Sequence, residues 1–226
     1  MANLKNVRQA LGWTQQQMAT KMGTSQAYVA MLEKGHRRLT PRLARKLVRL
    51  GAPPTVLPLA TPEQASLDAQ GLAEQLGALG YPGFSYLAKH VRPRNPAEVL
   101  LAALAHDELE ARLVEGLPWL LAQFWEMDFD WLVREAKQRD LQNRLGFVAM
   151  LAREQAARTA KQAPQSVNAL RSLEAALEPS RLAREDTLGR RPSSDFGREW
   201  LRTNRSNAAR HWSLLTTWRA EDLRYA

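Results

Sequence analysis

The sequence predicts an all-α protein with a small basic head over residues 1–52, a linker over 53–60 and a larger helical domain over 61–226. Three observations carry this. Apolar residues recur at spacings of three and four along most of the chain, and no alternating strand pattern of useful length occurs. Gly51-Ala52-Pro53-Pro54 then interrupts the helical pattern between two stretches of different charge.

The charge difference is large. Residues 1–50 hold ten Lys or Arg and a single acid, Glu33, so the block alone carries the +9 of the whole 226-residue chain. Residues 51–180 hold twelve bases against sixteen acids, and residues 181–226 hold ten arginines against six acids. A compact basic block next to an acidic body points to a polyanionic partner for the head; a solvated basic face without a partner is the plainer alternative.

Within the head, a first helix runs from about Leu4 to Ala10, with Leu4, Val7 and Leu11 on one face. Thr14-Gln15-Gln16-Gln17 reads as a capping box that starts a second helix with Met18, Ala19 and Met22 inward. Gly23 sits where a left-handed residue ends that helix. Thr24-Ser25 supplies a capping hydroxyl for a third helix, Gln26 to about Lys34, with Val29 and Leu32 inward. Thr40-Pro41 opens a fourth, carrying Leu43, Leu47 and Leu50. The outward face of the third helix is then Gln26, Ala27, Tyr28, Ala30 and Met31.

Beyond the linker, Thr61-Pro62-Glu63-Gln64 is expected to cap a new helix, and Asn95-Pro96 another through Val99, Leu100, Leu101 and Leu104. Gly116-Leu117-Pro118 is expected to break a helix and restart it. Asp128 or Asp130 caps a segment with Trp131, Leu132 and Ala136; Asp140 is expected to cap the longest helix, through Leu141, Leu145, Val148, Leu151 and Ala152. Pro164, Pro179, Gly189 and Pro192 make residues 162–192 look broken and surface-lying. Gly71, Gly77, Gly80 and Gly83 read as turn or helix-end residues.

The stretch from about residue 3 to 52 resembles the Cro/CI-type (XRE) helix-turn-helix family, the lambda-repressor-like fold. Thr14-Gln15, Ala19, Gly23, Ser25-Gln26, Val29 and Leu32-Glu33-Lys34-Gly35 carry the likeness. The resemblance implies a double-stranded DNA partner, with the third helix in the major groove. It places base readout on Gln26, Ala27, Ala30 and Met31, and Tyr28 joins them as part of the same outward face. It makes Gln15 a phosphate clamp and pairs Arg8 with Glu33, which explains the one acid in a basic block. Ser25, Lys34, Arg37 and Arg38 join Gln15 as phosphate contacts. Ala27, Ala30 and Met31 stand where the family often has polar residues, so shape and phosphate contacts carry more of the specificity.

More loosely, Leu117 to Ala156 resembles helical regulators encoded beside nucleotidyltransferase-like toxins. The expectation is a transcriptional regulator, an autoregulating repressor that dimerises through residues 61–226. It is also a candidate antitoxin; the alternative is a partner-binding adaptor whose main role lies in the helical domain.

Little else in the sequence carries chemistry. No cysteine occurs, so there is no disulfide or thiolate site, which fits a reducing cytoplasm. No apolar run reaches membrane length, and the N-terminus does not read as a secretory signal. His36, His90, His106 and His211 lack metal-type spacing, and His106-Asp107-Glu108 reads as a polar helix end rather than a ligand set. No phosphate-binding glycine loop or nucleophile elbow is present, so neither catalysis, metal nor cofactor is expected. Trp119, Phe124, Trp125, Phe129 and Trp131 read as helical core, or in part as a partner grip. The Arg-rich segment with Trp200, Trp212 and Trp218 reads as internal packing with salt bridges; a second nucleic-acid surface and neutralisation of an acidic region or partner remain alternatives.

Overall fold

Every regular element is helical in the computed structural model, which describes residues 4–59, 66–89, 91–159 and 164–225. Among these residues the extended pairing is an isolated parallel bridge between Asp186 and Leu214. Two hydrophobic clusters form, one from Leu4 to Val56 and one from Leu72 onward.

The first cluster is built by α1 (Leu4–Ala10), α2 (Gln15–Met22), α3 (Gln26–Glu33) and α4 (Pro41–Arg49). Met18, Val29, Ala44 and Leu47 are fully enclosed. Burying a side chain of the larger kind stabilises by ~1.5–3 kcal/mol, enough to hold short helices that would be marginal alone. The inward stripe of α4 is centred on Ala44 and Leu47, with Leu43 and Leu50 only half-buried at its margins. Residues Pro54–Val56, in the expected linker, form a 3-10 turn whose Val56 packs in the same cluster. Asn95 Nδ2 donates to the carbonyls of Thr55 (3.3 Å) and Leu57 (2.7 Å).

Thr61, Pro62, Glu63 and Gln64, expected to open the next helix, lie outside the described residues. The helix that follows is α5 (Ala69–Ala78), capped by Asp68, which accepts from Gly71 N at 2.8 Å. Gly71 and Gly77 lie inside it, against expectation. A Cβ on Gly77 would overlap the Phe84 carbonyl oxygen, so glycine serves close approach there rather than a turn. Gly80, with φ +99°, does end the helix in the expected way.

The body corrects three further readings. Asn95 caps α6 (Pro96–Leu104) as expected, but α7 (Ala111–Gln123) runs unbroken through Gly116 and Pro118. Proline forfeits one helical hydrogen bond, and here its burial with Leu117, Leu120 and Leu121 in the core offsets that cost. Gly116 lets Leu76 and Tyr81 approach. Asp128 caps α8 (Phe129–Gln138) through Trp131 N at 3.0 Å, which decides between the two candidate aspartates. Asp140 caps nothing. It adopts a left-handed φ of 58° and accepts from Arg184 at 3.1 Å, while α9 (Gln142–Arg158) starts without a side-chain cap. Residues 162–192 are not all broken either. α10 (Pro164–Leu177) buries Leu170, Leu173 and Leu177 against α9, with Pro164 in the first turn where its missing N–H costs nothing.

α9 is the axis of the second cluster. Gly146 in its middle leaves room for the indole of Trp212, only 1% exposed, just past α12 (Asn207–His211). Arg144, also on α9, donates to Asp186 (2.7 and 2.8 Å) and to the carbonyls of Leu104 and His106 (both 2.8 Å). At the C-terminus, Arg224 N donates to the buried Glu115 (2.7 Å), and Tyr225 meets Tyr81 edge-on at 5.3 Å. Burial, with the Glu115 and Tyr225 charges beside it, pushes the Tyr81 phenol well up.

Candidate nucleic-acid interface

The register of α3 is set by hydrogen bonds on either side of it. Thr14 Oγ1 accepts from Gln17 N (3.1 Å) and Gln17 Oε1 accepts from Thr14 N (2.8 Å), completing the capping box of α2. Gly23 closes α2 with φ 72° and ψ 43°, a conformation that favours glycine. Two residues on, Ser25 Oγ accepts from Tyr28 N at 3.2 Å and starts α3. The turn between the helices is therefore short and rigid.

A brace fixes the other end. Glu33, the last residue of α3, accepts from Arg8 Nε at 2.5 Å and from Gln15 Nε2 at 2.8 Å. Arg8 also donates to the Trp13 carbonyl at 2.7 Å, tying α1 to the start of α2. Burial alone would raise the Glu33 pKa; the hydrogen bonds from Arg8 and Gln15 and the charges of Arg8 and Lys5 outweigh it and hold the carboxyl below its ordinary value.

The outward face of α3 presents Gln26 and Ala27, both exposed, and Met31, 36% exposed. Ala30 is half-buried. Tyr28 is half-buried as well and packs against the head cluster. Among the phosphate candidates, Gln15 has one N–H committed to Glu33 and the other unassigned. Ser25 uses an oxygen lone pair as a cap and retains its O–H. Lys34 caps α3, Gly35 turns with φ 73°, and the His36 and Arg37 amides donate to Met31 O. This arrangement leaves Lys34, Arg37 and Arg38 exposed beside the C-terminal end of α3.

Among the cations with no role assigned from sequence are Arg42, Arg45 and Arg49, spaced by three and four along α4 and all exposed. Their spacing was the available signal. Lys46, between them, points the other way and donates to Met22 O at the C-terminal end of α2. Because Glu33 is saturated, Lys34, Arg37, Arg38, Arg42, Arg45 and Arg49 make no ion pair among the described residues. The charges of these six side chains are unneutralised.

Outside the head, His106 and His211 are structurally committed. His106 Nε2 lies 2.6 Å from Leu67 O, and His211 pairs with Glu178 at 2.8 Å. His90 lies outside the described residues. No group of three metal-ligating side chains occurs among the described residues. Phe124 is buried, and Trp119, Phe129 and Trp131 pack on the second cluster. In the C-terminal segment Arg202 bridges Glu185 and Glu199, both at 2.6 Å, and Arg205 reaches Glu185 at 3.5 Å. Trp212 is core, but α11 (Asp195–Asn204) buries no residue and leaves Phe196 81% and Trp200 51% exposed. No helix among the described residues is long and apolar enough to cross a membrane.

Comparison of the chain with curated proteins and with solved structures gives no match. Residues 4–50 match the family described as Helix-turn-helix. With its capped helices, its glycine turn and the Arg8–Glu33 brace, this segment is a helix-turn-helix DNA-binding unit of the Cro/CI (XRE) type.

Proposed function

We propose that the protein is a sequence-specific transcriptional regulator that occupies and represses its own promoter, acting in the cytoplasm as a homodimer on a palindromic operator. The outward face of α3 carries this reading: Gln26 can bridge an adenine edge, and Ala27, Ala30 and Met31 can meet thymine methyl groups. Tyr28, half-buried, reaches the groove with its outer edge only. Gln15, Ser25, Lys34, Arg37 and Arg38 hold the backbone and fix the register. A head this small makes few base contacts. Two heads on one palindrome, with half-sites about 34 Å apart, multiply the recognition. Residues 61–226 would then serve as the pairing domain, joined through 53–60. On this reading the protein is no enzyme and takes no cofactor or metal.

The test is a footprint on the DNA upstream of the coding sequence, with the stoichiometry measured alongside. Two protected lobes one helical turn apart, filled by two chains, are expected. Protection that spreads evenly over any fragment would sink the proposal.

A second reading gives residues 61–226 a partner protein, with the toxin of an antitoxin pair as the specific case. The exposed Phe196 and Trp200, one turn apart on a helix that buries none of its own residues, favour it. Co-expression with the product of the neighbouring gene should yield a stable complex that Trp200→Ala disrupts. Separate elution of the two proteins would exclude this reading.

A further inference from the structure

Glu154 and Arg158 lie four residues apart on α9, the spacing at which a carboxylate and a guanidinium ordinarily pair. They do not pair. Arg158 turns to Glu221, 3.9 Å away, and Glu154 makes no hydrogen bond or ion pair among the described residues. Its other neighbour, Arg153, is committed to Glu174 through two hydrogen bonds of 2.6 and 3.2 Å. Glu154 is half-buried. Burial and the charges of Glu174 and Glu221 raise its pKa, against the pull of Arg153.

This carboxylate opens into a cleft of about 540 Å³ between α9, α12 and the Ala220–Asp222 turn, well within the range of small-molecule sites. Also on its lining, Arg158 and Arg219 converge on the single carboxylate of Glu221, at 3.9 and 3.6 Å. All three side chains are more than half exposed and loosely held. Met150, Leu151, Ala208 and Ala220 supply an apolar part of the lining, beside the polar Ser206 and Asn207.

We propose that this cleft binds a small zwitterion, an α-amino acid with an apolar side chain, its ammonium on Glu154 and its carboxylate on Arg158 and Arg219. A ligand bearing only a cation would leave two guanidinium groups sharing one carboxylate. A ligand bearing only an anion would leave Glu154 unpaired. A zwitterion satisfies both, and its side chain covers the apolar part of the lining. Because one wall is the Ala220–Asp222 turn, occupancy also clamps the C-terminal segment to α9. The site uses no residue of the DNA-binding head, so it stands or falls independently of operator recognition.

The test is isothermal titration of the full chain, without DNA, with L-leucine as the probe. Isoamylamine and 4-methylpentanoate are the same skeleton lacking the carboxylate or the amine. L-Leucine should titrate one saturable site per chain, and each analogue should bind at least about tenfold more weakly, the cost of one charge-assisted contact. Glu154→Gln should weaken L-leucine by a similar factor and leave 4-methylpentanoate unchanged; Arg219→Gln should weaken L-leucine and leave isoamylamine unchanged. Circular dichroism melts confirm that both variants fold. Absence of a saturable signal from L-leucine overturns the proposal. So does an analogue that binds as tightly as L-leucine, or unaltered binding by folded Glu154→Gln.

Discussion

Gln15, at the start of one helix, donates to Glu33, at the end of the next, across 2.8 Å. The amide that meets the DNA backbone in the proposed complex is thus oriented by the acid that Arg8 already holds. Gln15→Ala should lower affinity for all DNA sequences alike, because a phosphate contact carries no sequence information. Gln15→Glu should do worse, setting a second carboxylate against Glu33 and losing thermal stability as well. Competition binding with operator and random DNA, beside a thermal melt, separates the two effects.

The Arg8–Glu33 pair is enclosed, with side chains 13% and 6% exposed. Removing one partner strands the other charge. Arg8→Met should therefore cost ~2 kcal/mol of stability, while Arg37→Ala, at an exposed loop position, should leave the melt unchanged. Equal melting of Arg8→Met and wild type would show that the brace is decorative.

Stability should fall in acid, in a defined window. The folded-state pKa of Glu33 is depressed below its ordinary 4.5, and that of Asp186, facing Arg144, below 3.8. The stabilisation of each is fully present above those unfolded values and is lost as pH falls through the lower, folded ones. The contribution of these two groups to the melting temperature should thus be flat from pH 7 to about 5 and drop below pH 4.5. Glu33→Gln should melt lower at neutral pH with a shallower acid slope. A slope identical to wild type would remove Glu33 from the account.

Gly146 and Trp212 form a tight seat in the body. Gly146→Ala would drive a methyl group into a buried indole, which should cost about 1–3 kcal/mol by overpacking despite alanine's better helix propensity. Trp212→Leu in the same chain should recover part of the loss. A Gly146→Ala protein that melts above wild type would mean that the indole is free to move.

The head was legible because its signals are local. Thr14 with Gln17, Gly23, Ser25 and Thr40-Pro41 act within three or four residues, so caps and helix bounds follow from spacing alone. The body misled where tertiary contacts decide. Pro118 reads as a break, yet packing carries α7 through it. Asp140 reads as a cap, yet it takes a left-handed turn and pairs with Arg184, 44 residues away. The candidate interface was legible as a residue set, but two of its details were not. The engagement of Gln15 with Glu33 and the inward lean of Tyr28 depend on how α1, α2 and α3 pack. The exposed Phe196 and Trp200 were hidden in a segment whose next tryptophan, Trp212, is core.

The measurement that bears most directly on the central claim is binding of wild type, Gln26→Ala and Arg37→Ala to the protein's own upstream DNA at two salt concentrations. Wild type should select one short site. Gln26→Ala should lose the preference for that site over random DNA, by the ~1–3 kcal/mol of one bidentate base contact. Arg37→Ala should weaken binding to every sequence and lower the salt slope by about one unit. A wild-type protein with no preference among fragments, or a Gln26→Ala protein as selective as wild type, would contradict recognition through α3.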